Sequence, residues 1–240
     1  MNEHTLSQRL ERVAAHIPAG ARLADIGSDH AYLPVALMRR GAIAAAVAGE
    51  VAATPFQAAN RTVADNGLTQ HITVRLADGL AAIEAGDDIT AVSLCGMGGE
   101  TIRDILDSGK ARLNGRERLI LQPNGGEQRL RQWLMDNGYR ILHEELLLEN
   151  RFYYEIIVAE RAGAVAYTEE QVEELALPGV EALDQLEVAA ADRVARRELR
   201  LRRGRDQVVA GRTRCGDLQG SLAAMLRCLP ETDRHGVDTT

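Results

Sequence analysis

Aromatic side chains are scarce in this chain: Phe, Tyr and Trp make up 3% of its 240 residues. Apolar content is nevertheless 45%, so a sizeable core has to be built from Ala, Val, Leu and Ile. Cysteine is scarce too. Cys95, Cys215 and Cys228 are odd in number and form no C-x-x-C pair, which argues against a disulfide framework or a zinc site and suits a reducing compartment. Long apolar runs are missing: the start, MNEHTLSQRL, has no signal-peptide apolar region, and the stretch 42–48 is far too short to span a bilayer. A soluble, cytoplasmic protein with no membrane contact is expected. Lysine is nearly absent, Lys110 standing alone among 28 basic residues, and the net charge is −7. That charge excludes simple bulk attraction to nucleic acid. The arginine bias reflects either planar, bidentate contacts with phosphates and bases or GC-rich coding.

What is present is a regular alternation. Leu6, Leu10, Val13 and Ile17 form a helical apolar stripe. Strands are expected at 21–26, 44–49, 71–76, 89–95 and 118–122, with helices at 31–40, 54–65, 99–108 and 126–137 between them. Thr54-Pro55 is read as a cap followed by proline at the first helical position, and Asn66-Gly67 and Asn137-Gly138 as helix ends. This order predicts a parallel sheet covered by helices on both faces. Residues 139–149 (YRILHEELLLE) and 152–160 (FYYEIIVAE) are both strand-like and too close for a crossover helix, so they predict an antiparallel hairpin. A parallel sheet closed by a hairpin resembles the seven-stranded, Rossmann-like class I methyltransferase fold rather than a nicotinamide-binding domain. The expected boundary falls after residue 162, the remainder (163–240) carrying a degraded seven-residue period and forming a small, helical, coiled-coil-like domain.

The stretch LADIGSDHAYLP (23–34) carries the first chemical signal. A dinucleotide-binding corner holds bare glycine backbone against a pyrophosphate. Here Asp29 follows Gly27 by two residues, which suits a cationic ligand better than an anionic one. S-adenosylmethionine is such a ligand, with a zwitterionic amino acid, a sulfonium, a ribose and an adenine. Asp25 can orient the loop or the amino group, and Gly27 keeps backbone close. Glu50, 23 residues after Gly27, stands where an acidic side chain accepts both ribose hydroxyls. Asp78 and Gly79, after the third strand, suit the adenine edge. Ser28, His30, Val51, Gly96 and Met97 complete the expected cofactor contacts. Gly96, Gly98 and Gly99 leave a floor where a flat base can approach the methyl donor, and Gln122 and Asn124 are placed to read a base edge.

The segments LSQRL, ADIGSDHAYLP, AGE, ITVRLADGL, GMGGETI, LILQPN and YEIIVAE occur in an order that resembles the bacterial tRNA (adenine-22 N1)-methyltransferase family over residues 1–160. That resemblance implies a class I methyltransferase domain followed by a helical coiled-coil domain, S-adenosylmethionine as cofactor, tRNA as partner and N1 of an adenine as the methylated atom. The C-terminal part departs from the family, being arginine-rich and glycine-interrupted where relatives carry a longer, lysine-rich coiled coil. N1 of adenine is a weak nucleophile hidden in base pairing, so it has to be exposed and aimed. Asp29 is the expected catalytic residue, either stabilising the cationic methylated base or taking its proton; His30 is a second proton carrier, and Tyr32 either stacks on a base or packs in its helix. Arg9, Arg196 and Arg200 are expected to contact RNA, the last two within a stripe with Arg193 and Arg203. If that stripe is only a solvated face, Arg9, Arg61, Arg129 and Arg131 take its place. No metal is expected, because no cluster of His, Asp and Glu has ligand spacing, and a monomer is expected. Rival readings are a class I methyltransferase acting on a small molecule or protein, a non-catalytic RNA-binding module, and a nicotinamide-dependent oxidoreductase, the last disfavoured by Asp29 and the hairpin.

Overall fold

The computed structural model describes residues 5–161. Seven strands form one sheet in the order β3-β2-β1-β4-β5-β7-β6. β1 (Ala21–Ile26), β2 (Ile43–Glu50), β3 (Ile72–Leu76), β4 (Ala91–Met97) and β5 (Arg118–Pro123) run parallel. β6 (Tyr139–Glu149) and β7 (Phe152–Arg161) form the expected hairpin, with β7 inserted antiparallel beside β5. Helices α1 (Gln8–His16), α2 (Tyr32–Arg39), α3 (Ala53–Asp65), α4 (Gly99–Gly109) and α5 (Glu127–Asp136) cover the two faces. The C-terminal helical domain, its heptads and the arginines at 193–203 lie outside the described residues.

Period-two alternation splits the core into two layers. On β1, Leu23 joins Val13, Val35 and Ala59 under α1–α3, while Ala24 and Ile26 join Leu94, Ile102 and Leu130 under α4 and α5. On β5, Ile120 faces the first layer and Leu119 and Leu121 the second. These strands are apolar on both faces, as a parallel sheet packed between helices requires. Each fully buried Leu or Ile contributes roughly 1.5–3 kcal/mol, so small aliphatic residues suffice where aromatics are few.

Local chemistry sets the element ends. The Ser7 hydroxyl caps α1 by accepting from the Leu10 N–H at 3.2 Å, and the expected stripe buries Leu6, Val13 and Ile17 with Leu10 partly covered. α3 begins earlier than the Thr54-Pro55 pair suggested: Ala52 is its cap and Pro55 its third residue. Proline is accommodated there because first-turn N–H groups have no partner within the helix. Short 3₁₀ turns at Gly79–Ala82, Ala85–Asp87 and Lys110–Arg112 add to the expected elements. Among the described residues no helix is long and apolar enough to cross a membrane.

Candidate active site

The carboxyl ends of β3, β2, β1 and β4 lie side by side, and each delivers one of the expected residues. Strands about 4.8 Å apart set these ends along a row of roughly 15 Å, the reach of a nucleoside bearing an amino-acid tail. At the centre, β1 turns at Gly27, whose φ of +69° favours glycine. Its N–H donates to the Gly49 carbonyl at 2.9 Å, and the Ser28 N–H to the same oxygen at 3.3 Å. Asp29 (φ +59°) and Ala31 (φ +57°) also adopt the left-handed conformation. Asp tolerates it; for Ala it costs about 1–2 kcal/mol. The loop is therefore held in place by its surroundings, and one of these is Asp25. That buried carboxylate accepts from the Ser28 hydroxyl at 2.6 Å and the Ser93 hydroxyl at 2.5 Å. Burial pushes its pKa up, against those two hydrogen bonds. Of the two roles expected of Asp25, the geometry supports fixing the loop rather than meeting an amino group.

The Asp29 side chain is 67% exposed at the mouth of this row, with His30 Nε2 3.6 Å from its Oδ1. The His30 ring stacks on Tyr32, centroids 5.0 Å apart and planes 12° off parallel. Tyr32 is partly buried against the first core layer, so its ring already has a partner and packs in its helix, the second of its two expected roles.

Glu50, at the end of β2, is buried, and its Oε1 has no hydrogen-bond partner. Burial is the main reason its pKa rises to about 7; the nearby Asp25 and Asp29 carboxylates add to the shift, and a hydrogen bond from the Asp29 backbone opposes it. A buried, unsatisfied acceptor is unfavourable by about 1–3 kcal/mol, which marks it as waiting for a donor. Val51 beside it is 71% exposed, an apolar surface next to a polar one. Asp78 ends the row beyond β3, exposed and capping nothing with its side chain. Gly79 (φ +51°) follows it. On the other side, the Met97 methyl lies 3.3 Å from where a Cβ on residue 27 would stand.

Beyond β4 the glycine floor takes a different form from the one expected. Gly99 is buried, and a Cβ there would stand 2.5 Å from the Gly126 carbonyl oxygen. Its N–H donates to the Gly125 carbonyl at 2.7 Å, and the Asn124 N–H to Met97 O at 2.8 Å. Two glycine-rich loops are thus laced together, and between the starts of α4 and α5 they leave a cleft of about 450 Å³ lined by Gly98, Gly99, Asn124, Gly126 and Arg129. Arg129 pairs with Glu100 at its rim.

Gln122 does not read a base edge. It is fully buried: its Oε1 accepts from the Gly96 N–H at 3.0 Å and from Arg9 Nη1, and its Nε2 donates to Pro123 O at 2.8 Å and Asn124 Oδ1 at 3.0 Å. It shapes the floor on which Asn124 remains exposed. Arg9 is committed to the same network and lies over the Tyr154 ring, 5.3 Å from its centroid. Arg131 is no RNA contact either: it is fully buried, between Glu144 (2.7 Å) and Glu155. Sequence spacing also missed a cluster of metal-binding residue types. His16 from α1 meets His143 and Glu145 from β6, but the Arg12 guanidinium already holds the Glu145 carboxylate at 2.5 and 2.9 Å. Residues 16 and 143 are far apart in the chain, so only the fold brings them together.

The family model for tRNA (adenine(22)-N(1))-methyltransferase matches residues 23–181, the span that carries the whole row. The chain belongs to that family. It is 48% identical over 160 residues to the tRNA (adenine(22)-N(1))-methyltransferase of Bacillus subtilis, an alignment covering 67% of either chain. Among solved structures, the putative tRNA (m1A22) methyltransferase of Streptococcus pneumoniae in complex with S-adenosyl-L-methionine shares 40% identity and a TM-score of 0.68, covering 80% of this chain and 97% of that one. The Mycoplasma capricolum family member, bound to S-adenosyl-homocysteine, shares 26% identity and a TM-score of 0.64, covering 85% and 99%.

Proposed function

We infer that this tRNA (adenine-22 N1)-methyltransferase works as a cytoplasmic monomer, with its cofactor along the β3-β2-β1-β4 row and its target base over the cleft between α4 and α5. The observation that carries the reading is Glu50: a buried carboxylate with one oxygen unpartnered, on the strand end next to that of Asp78, fits ribose hydroxyls flanked by an adenine. S-adenosylmethionine supplies a methyl group made electrophilic by its sulfonium. Asp78 and the Gly79 backbone receive the adenine edge, and Val51 covers an adenine face. Gly27, Ser28, His30, Gly96 and Met97 line the amino-acid portion, with Asp25 holding the loop in shape.

Asn124 and the glycines of the cleft receive the flat base, and the laced loops fix the distance between base and cofactor, which is where an orientation advantage arises. Methylated at N1, adenine is a cation until its amino group gives up a proton. Asp29 is the exposed carboxylate on the rigid loop closest in sequence to this chemistry, and it holds or takes that proton; His30, 3.6 Å away, passes it to solvent.

The test uses single-turnover methylation of tRNA with nucleosides read by mass spectrometry. The wild-type chain is expected to form N1-methyladenosine, and Asp29→Asn to slow the step by about 10²–10³-fold, the scale of general-base contributions, with cofactor affinity nearly unchanged. A wild-type rate in Asp29→Asn removes the carboxylate from the chemistry. Methylation of a protein or small molecule but not of tRNA overturns the substrate assignment.

A further inference from the structure

The β6–β7 hairpin carries a surface that neither the cofactor row nor the cleft uses. β7 pairs with β5 from Arg118↔Glu160 to Leu121↔Ile157, and β5 ends at Pro123. The hairpin continues to its last pair, Glu149↔Phe152, three residues or roughly 10 Å past the end of β5 at about 3.4 Å per residue. Because β7 runs antiparallel, this overhang rises from the same edge of the sheet that holds Gly27, Glu50 and the cleft. Asn150 (φ +52°) and Arg151 (φ +69°) close it in the pattern of a type I′ turn, so the tip is a defined structure.

Its composition is at odds with the rest of the molecule. Three of the chain's eight aromatic residues are consecutive here, Phe152, Tyr153 and Tyr154. Phe152 is 66% exposed on the face it shares with Tyr154, and on the other face Tyr153 (38%) lies directly across from Leu148 (50%). Tyr154, inward of them, packs on the core under Arg9, and Arg151 projects at the tip, exposed. A chain with a net charge of −7 cannot hold an acidic polymer by bulk attraction. Exposed aromatic faces with a neighbouring guanidinium offer contacts that do not depend on net charge: bases stack on them regardless of sequence.

We propose that the hairpin tip is an RNA-docking platform with a stacking surface on each face, Phe152 on one and Tyr153 with Leu148 on the other, so that unpaired nucleobases of the tRNA substrate stack on the tip while Arg151 meets an adjoining phosphate. The inference rests on the tRNA reading above and assigns the tip a role in positioning the RNA, away from the reacting atoms.

The experiment is tRNA affinity by fluorescence anisotropy over a salt series, without cofactor, for wild type, Phe152→Ser/Tyr153→Ser, Phe152→Trp and Arg151→Ala. The double variant should bind tRNA at least tenfold more weakly with an unaltered salt slope, because stacking releases no counterions. Phe152→Trp should bind as wild type does and show fluorescence quenching on binding. Arg151→Ala should shallow the salt slope by about one. Cofactor affinity by calorimetry and thermal melting should be unchanged throughout, separating docking from folding. Unchanged tRNA affinity in the double variant overturns the platform. So does a wild-type dimer in light scattering that the double variant dissociates, since the patch would then join two copies of the chain. A wild-type chain that methylates no tRNA overturns the underlying reading and the platform with it, whereas wild-type methylation alongside unchanged binding by the variant removes the platform alone.

Discussion

Glu50 shows how much a single side chain can dictate. Its pKa, raised to about 7 chiefly by burial, means that the unliganded protein holds a proton there over half the time below neutrality. In the proposed placement ribose hydroxyls favour the ionised acceptor, so binding should drive that proton off. Cofactor affinity is therefore expected to rise as pH increases from about 6 to 8 and then level off, with proton release near pH 6.5 measurable by calorimetry in buffers of different ionisation enthalpy. Glu50→Gln should flatten the profile and weaken binding about tenfold or more. The same shift has a stability consequence of opposite sense. A carboxyl whose folded pKa exceeds its unfolded value of 4.5 is destabilising once pH passes 4.5, and progressively so up to about 7. Glu50→Gln is therefore expected to melt higher than wild type at pH 8 and at the same temperature near pH 4. The position of Glu50 was legible in the sequence because a carboxylate at the end of a second strand has a spacing to find. Its burial and its missing partner were not, since those depend on β1 and β3 closing over both sides.

At the scale of elements, two ion-pair groups that sequence spacing could not show fasten helices to the hairpin. Arg131 of α5 is buried between Glu144 and Glu155, and the chain pattern reads it as one more surface arginine because helical periodicity cannot separate a buried cation from an exposed one. Arg131→Ala leaves two carboxylates without their cation, and unfolding in denaturant should show a loss of about 3–5 kcal/mol. Replacing all three residues by apolar ones of similar volume should recover most of it. On the opposite face, Glu145 holds α1 through Arg12 and His16. Burial alone would raise its pKa, but hydrogen bonds from His16 and Arg12 overcome this and hold it down at about 2. The direction is that of a depressed acid: the stabilisation is complete above its unfolded value of 4.5 and disappears as pH falls through about 2. Glu145→Gln should cost about 1–3 kcal/mol at pH 7 and loosen α1 selectively, which amide hydrogen exchange over residues 8–16 would register. The elements themselves were largely legible: every strand and helix expected within 5–161 is present, because apolar period and turn residues are local signals. The 3₁₀ turns were not, because they follow from strand ends being pulled together, as were the start of α3 and the laced glycine loops.

For the whole molecule, the described residues 5–161 hold all seven strands of the sheet and the strand ends proposed to bind the cofactor. A chain ending at residue 162 is therefore expected to bind S-adenosylmethionine within about twofold of the full chain by calorimetry. Its tRNA affinity should fall and depend less steeply on salt if the arginines at 193–203 follow a phosphate backbone; equal affinity and slope would return that task to the exposed Arg61 and Arg129. Fold class was legible at this scale because a hairpin after five parallel strands is a topological statement that few architectures satisfy, and the family was legible in the order of segments such as ADIGSDHAYLP and GMGGETI. What pattern alone could not supply was direction and height. β7 descends from Phe152, beyond the carboxyl ends of the parallel strands, to Arg161 at the opposite edge, nine steps or about 30 Å away. The chain thus contains its own ruler: a zero-length photocrosslinker at residue 152 should capture RNA held at the upper edge, whereas the same group at residue 161 should miss it unless the RNA wraps the full height of the sheet.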